Sequence, residues 1–153
     1  MLRIAEGGLD DARVVALLHH HLTRARAVTP EGSAHALDLS GLKVPAISFW
    51  SAWEGEALAG VGALKAMSAA DGEVKSMHTA EAARRRGVGA ALLRHVIAAA
   101  RDRGMERLFL ETGSFDYFAP ARALYAAHGF VECAPFGDYR PDPNSTFMRL
   151  DLG

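Results

Sequence analysis

Hydrophobic positions along the chain switch between strand-like and helical spacing, and the switches outline its elements. LRIA, residues 2–5, predicts a first strand. Asp10 or Asp11 then caps a helix whose apolar positions are Val14, Leu17, Leu18 and Leu22. From Thr29 to Pro45 the pattern shows no clear period and allows one short helix around His35 to Leu39. ISFWSAW, rich in β-branched and aromatic residues, predicts a strand. The turn Glu54-Gly55-Glu56 folds it into a hairpin with ALAGVGALKA. A second turn at AADG leads to EVKSMHT. There, alternation puts Val74, Ser76 and His78 on one face and Glu73, Lys75, Met77 and Thr79 on the other.

ARRRGVGAALL, residues 83–93, opens the most regular stretch of the chain. Val88, Leu92 and Val96 form one row and Leu93, Ile97 and Ala100 the next, the stripe of a helix with one buried face. Gly104 stands where that helix would end. ERLFLET predicts a strand, APARALYAAHG a helix stopped by Gly129, and FVEC another strand. STFMRLDL closes the chain after the proline-broken loop PFGDYRPDPN. Strand, glycine turn, helix and strand make a βαβ unit, whose strands are expected to be parallel with a right-handed crossover. The earlier strands are hairpin-linked, so the expected sheet is mixed. The class is α/β, in the order β-α-(α)-β-β-β-α-β-α-β-β. One domain over residues 1–153 is expected, because no repeat, linker or shift of composition divides the chain.

Charge and composition narrow the function. Half of the 153 residues are apolar and 23% are charged, ordinary values for a globular protein. Seventeen basic residues against eighteen acidic ones argue against a nucleic-acid partner, which calls for a basic excess. The amino terminus lacks a basic-then-apolar leader pattern. No apolar run approaches the roughly 20 residues of a membrane span. A cytoplasmic protein with no membrane partner is the expectation. The single cysteine, Cys133, allows no disulfide within the chain and is expected to be a buried structural thiol.

Three arginines beside two glycines at a helix start carry the most chemistry. The first turn of a helix has amide N–H groups without intrahelical partners, and the dipole makes that end positive. Gly87 and Gly89 let a ligand approach the main chain, and Arg84, Arg85 and Arg86 add forked donors suited to phosphate. A P-loop would need Gly-Lys-Ser/Thr, but Ala90-Ala91 follows Gly89. A dinucleotide fingerprint would need a small residue at Leu92 and its strand immediately before it.

Arg84-x-x-Gly87-x-Gly89 resembles the acyl-CoA-binding motif of the GNAT superfamily of N-acetyltransferases. Ala121-x-x-Leu124-Tyr125, followed by Gly129-Phe130, resembles that family's later motif, and the order of elements matches over nearly the whole chain. The resemblance implies acetyl-CoA as co-substrate and fourth and fifth strands that splay apart. The cofactor arm would then pair with the backbone of Met77, His78 and Thr79. Its diphosphate would rest on the amides of Arg85, Arg86, Gly87, Val88, Gly89 and Ala90, with Arg84 alongside. Phe118 stands where many relatives carry an asparagine that bonds the cofactor arm. A homodimer is a further expectation from the family.

The resemblance also implies roles in the chemistry. Tyr125 would be the acid for the departing thiolate and the Met77 backbone N–H the donor to the developing oxyanion. Glu73 would be the base, with Glu111 as the alternative carboxylate and the His78 ring as a lesser one. The acceptor, expected to be a primary amine of a small molecule, would meet His35, Trp50, Tyr139, Asn144 and the segment GSFDYF. No metal is expected, since three consecutive histidines, His19, His20 and His21, cannot converge from one helix on one ion. Two other readings stay open at this stage. One is a non-catalytic acyl-CoA-binding sensor with the same fold; the other is a basic phosphate-binding module, weakened by the balanced charge.

Overall fold

The computed structural model describes residues 2–29 and 39–153. Its strands are β1 (Leu2–Glu6), β2 (Ile47–Glu54), β3 (Ala57–Ala66), β4 (Asp71–Thr79), β5 (Arg107–Gly113), β6 (Val131–Glu132) and β7 (Ser145–Asp151). Its helices are α1 (Ala12–Val28), the single turn α2 (Leu39–Leu42), α3 (Val88–Asp102) and α4 (Ala119–Ala127). Of the helix expected around His35 to Leu39, His35 lies outside the described residues, and α2 begins at Leu39. Asp11, not Asp10, caps α1, its carboxylate accepting from the Arg13 N–H at 2.9 Å.

The strands form one sheet in the order β1-β2-β3-β4-β5-β7-β6. Only β4 and β5 are parallel, as the βαβ pattern requires; every other pair is antiparallel. Helix α3 covers one face, burying Val88, Leu92, Leu93, Val96, Ile97 and Ala100 against Leu64, Val74, Leu108, Leu110 and Met148. Helix α1 covers the other, with Val14 and Leu18 against Phe49, Trp53, Val61 and Ala63.

A close approach sets α3 on the sheet. A Cβ on Gly60 would stand 3.0 Å from the Leu92 and Val88 side chains, and one on Gly62 would stand 2.7 Å from the Met77 sulfur. Both positions therefore need the missing side chain for α3 and Met77 to sit where they do.

The alternation expected along β4 fails halfway. His78 pairs with Val61 and Lys75 with Ala63, so Gly62 alone faces both Ser76 and Met77. This is a β-bulge, and Ser76 sits in it with a left-handed φ of 55°. One extra residue reverses the faces beyond it. Met77 therefore packs with Val74 on the α3 side, and His78 turns to α1, opposite to the expected assignment.

Leu92 is fully buried between α3 and this glycine-lined strip of sheet. Leu92→Ala is expected to lower unfolding free energy by about 3 kcal/mol, the usual cost of a cavity in a well-packed core. Urea denaturation followed by circular dichroism measures it.

Candidate active site

Strands β4 and β5 pair only from Asp71↔Arg107 to Glu73↔Phe109 and then separate. The gap they leave is a cavity of about 110 Å³. Val74, Lys75, Ser76 and Met77 form one wall and Glu111, Thr112 and Gly113 the other. Phe118, Ala121 and Tyr125 close it from the α4 side, while His21, Ala25 and Thr29 reach it from α1.

Glu111 and Tyr125 in this cleft are far from their ordinary behaviour. Burial pushes the Glu111 carboxyl up to about 7, more than a hydrogen bond with Ser145 and the nearby Lys75 ammonium pull it down. Tyr125, only 7% exposed, has its hydroxyl pushed well above the usual phenol range by burial, with the Glu111 charge adding to it. It therefore stays a proton-bearing donor throughout the working range.

Beside the cleft, Glu73 is buried rather than exposed at a turn. Its Oε2 accepts from the Lys75 ammonium at 3.0 Å and from the Tyr139 hydroxyl at 2.6 Å, and Lys75 also donates to that hydroxyl at 3.0 Å. Burial and the Glu73 charge raise the Tyr139 phenol far above its ordinary range. Glu73 and Tyr139 face a second, wider cavity of about 650 Å³, whose other walls include Lys65, Met67, Asp138 and Arg140.

The glycine turn lies at the start of α3. Arg85 and Gly87 both have left-handed backbone, at φ 67° and 78°, and Gly87 is the residue that precedes the helix. The first bond of the helix runs from the Ala91 N–H to the Gly87 carbonyl at 3.0 Å, so the amides of Val88, Gly89 and Ala90 precede that ladder. A Cβ on Gly87 would meet nothing within 4 Å. A Cβ on Gly89 would stand 3.2 Å from Leu124 and 3.5 Å from the Thr79 hydroxyl. Gly89 thus lets α3 approach α4 and β4. Arg86 reaches Glu54 at 3.3 Å, an exposed pair of small energetic weight.

The model of the acetyltransferase (GNAT) family matches residues 15–130. The chain belongs to the GNAT acetyltransferase family. It is 51% identical to the uncharacterized N-acetyltransferase YsnE of Bacillus subtilis, over 94% of this chain and 95% of that one. It is 38% identical to the IAA acetyltransferase of Azospirillum brasilense, over 96% and 95%. Among solved structures, a candidate acyl-CoA N-acyltransferase of Klebsiella pneumoniae superposes with a TM-score of 0.84 at 28% identity, covering 100% of this chain and 99% of that one. A Salmonella typhimurium chain crystallised with acetyl-CoA shares the fold at a TM-score of 0.74 and 19% identity, covering 99% and 94%. The protein is therefore an acetyltransferase, with the GNAT sheet and its splayed strands.

Of the residues expected at the acceptor pocket, Trp50 lies elsewhere. Trp50 is 4% exposed and packs in the core beneath α3, edge-on to His95 at 5.4 Å. Asn144 is engaged in the loop before β7, its N–H donating to Asp142 at 2.8 Å and its carbonyl accepting from Ser114 at 3.1 Å. Phe118, which replaces the family's asparagine, lays its ring over Gly113, where any Cβ would collide with it. Cys133 is partly buried beside β7 rather than fully buried, and burial raises its thiol. Among the described residues, no helix is long and apolar enough to cross a membrane, and no group of three His, Cys, Asp or Glu side chains could hold a metal ion.

One association was invisible in the sequence. His21 and His20 stack on His78 at 4.6 and 6.0 Å, joining α1 to β4. Burial is the main cause that lowers His21 to about 4 and His78 to about 3, and the neighbouring imidazoles add to it. Between pH 6.5 and about 4 the unfolded chain binds protons at these rings that the folded chain does not. Stability is thus expected to fall as pH drops through that window. Glu111 acts in the opposite sense, but one carboxyl does not offset two imidazoles. His78→Leu is expected to flatten the slope, as read from urea midpoints at pH 7 and pH 5.

Proposed function

We propose that this GNAT enzyme moves the acetyl group of acetyl-CoA onto a primary amine of a small molecule by direct attack. The observation that carries this is the parting of β4 from β5 after Glu73 and Phe109, which opens a cleft between Tyr125 and Glu111. The start of α3 fits a diphosphate: Gly87 faces open space, and three helix amides precede the first intrahelical bond. Met77, His78 and Thr79 would offer backbone to the pantetheine arm, as a strand would. When bound, acetyl-CoA supplies an activated thioester carbonyl.

This chain's own residues do the rest. An alkylammonium titrates at about 10, so the acceptor must lose a proton before it attacks. Glu111 is the better base, because its carboxyl lines the cleft and titrates at about 7. Glu73 is engaged by Lys75 and Tyr139, and we assign it the positioning of those two groups. The Met77 N–H, at the bulge, donates to the carbonyl oxygen as the C–N bond forms. As the C–S bond breaks, the Tyr125 hydroxyl gives its proton to the sulfur and takes back the second proton of the acceptor nitrogen. The acceptor enters from the 650 Å³ cavity, where Lys65 and Arg140 face Asp138. The relative named IAA acetyltransferase supports a small-molecule acceptor.

Gly87→Asp puts a carboxylate where the diphosphate would lie. Acetyl-CoA affinity by calorimetry is expected to drop by at least about tenfold, with the fold retained, because like charges meet at the helix start. Unchanged affinity would remove the phosphate cradle from this account.

With a small primary amine that releases free thiol from acetyl-CoA, kcat/KM is expected to rise with pH through about 7 as Glu111 loses its proton. Glu111→Gln is expected to lower kcat/KM by about 10²–10⁴-fold and to abolish that limb. An unaltered profile in Glu111→Gln would return the base role to Glu73 or to water.

A further inference from the structure

Ser76 combines three features that neither the family motifs nor the roles assigned above use. It lies in the β4 bulge between Lys75 and Met77, where the strand register gives it no partner on β3. Its backbone is left-handed, at φ 55°, a conformation that glycine and asparagine adopt far more readily than serine. Its hydroxyl is buried and without a hydrogen-bond partner, and the residue lines the cleft that also holds Tyr125 and Glu111. Buried hydroxyls are nearly always bonded, so an orphan in a ligand cleft marks a missing ligand atom.

We infer that the Ser76 hydroxyl donates a hydrogen bond to the acetyl carbonyl oxygen of the thioester, as a side-chain donor beside the Met77 N–H. This rests on the proposed acetyl-CoA reaction and deepens it. Three other polar groups of the cleft have work in that reaction or partners of their own: Glu111 faces the amine proton, Tyr125 serves the sulfur, and Lys75 is bound to Glu73 and Tyr139. The carbonyl oxygen is the remaining acceptor, and Ser76 adjoins its backbone donor. The left-handed backbone sets Ser76 in the wall of the gap, and a strained residue kept at a reacting centre has a reason to persist.

The experiment is calorimetry of wild type and Ser76→Gly with acetyl-CoA and with CoA, which lacks the carbonyl. Glycine removes the hydroxyl and also relieves the backbone, so Ser76→Gly should fold with a Tm equal to or above wild type. Wild type is expected to prefer acetyl-CoA over CoA by about fivefold, the worth of one neutral hydrogen bond. Ser76→Gly should bind CoA unchanged and lose most of that preference, the Met77 N–H keeping the rest. Infrared spectra with acetyl-CoA labelled at the carbonyl carbon supply a readout that packing alone would not move. The C=O band should lie lower in the wild-type complex than in buffer and move back in Ser76→Gly.

An equal preference in both proteins, no preference in wild type, or a band that does not respond to the substitution overturns the role of Ser76 and leaves the acetyl-CoA reading standing. A wild type that binds neither molecule overturns that reading, and Ser76 with it.

Discussion

The site depends on β4 keeping β3 as a partner while it gives up β5. A strand within a sheet ordinarily bonds on both edges, because buried backbone groups need partners. Beyond Glu73, β4 bonds on one side only, and the facing side of β5 is likewise released. The far side of β5 is held by β7 along its whole length, from Arg107↔Asp151 to Gly113↔Ser145. β5 is therefore anchored, and β4 is the strand that bends. The bulge at Ser76 and Met77 provides the bend. A left-handed serine costs about 1–3 kcal/mol. Each large aliphatic side chain buried under α3 contributes about 1.5–3 kcal/mol, so the core holds the distortion easily.

The same strip of backbone couples the two ends of the site. Gly60 and Gly62 bring Val88 and Leu92 down onto β3, and Gly89 brings Leu124 and Thr79 up to the start of α3. The start of α3 and the bulged end of β4 are thus fixed against each other by close contacts. The turn before α3 has left-handed backbone at Arg85 and Gly87, which presents the amides of the first helical turn outward. Distances between the anion end and the reacting end are set by packing, the least compliant part of the molecule.

Local periodicity made most of the fold legible, because the elements it names are long and regular. The rows Val88–Leu92–Val96 and Leu93–Ile97–Ala100 are buried as the helical spacing requires. Tyr125 sits in the cleft where the Ala-x-x-Leu-Tyr spacing put it. The bulge was not legible: EVKSMHT alternates plausibly in either register, and only Gly62 opposite two residues reveals the slip. That slip moved Met77 and His78 to faces opposite those expected. The pairing of His21 with His78 spans α1 and β4, so no local signal carries it. Trp50 read as a pocket wall because a strand aromatic has two faces to choose from, and the sheet, not the sequence window, chose the core. A missing side chain looks the same in sequence whether it admits a substrate or a neighbouring helix, and what stands against Gly89 is Leu124 and Thr79.

The two carboxylates of the site show how one charge can divide their work. Lys75 is the ammonium that reaches the Glu73 carboxylate directly, at 3.0 Å, with the Tyr139 hydroxyl completing the arrangement. Glu111 feels that ammonium only as a weaker opposing influence, and burial prevails over it. A carboxyl in a closing cleft, deprived of water and served by no direct cation, holds its proton to near neutrality. One glutamate is thereby held by two direct partners, and the other, lining the cleft, keeps its proton to about 7. Their environments separate the roles more sharply than their positions in the sequence do. Without its ammonium, Lys75 would leave Glu73 buried and uncompensated. The division of labour therefore rests on one lysine side chain, 9% exposed, at the edge of the bulge that makes the cleft.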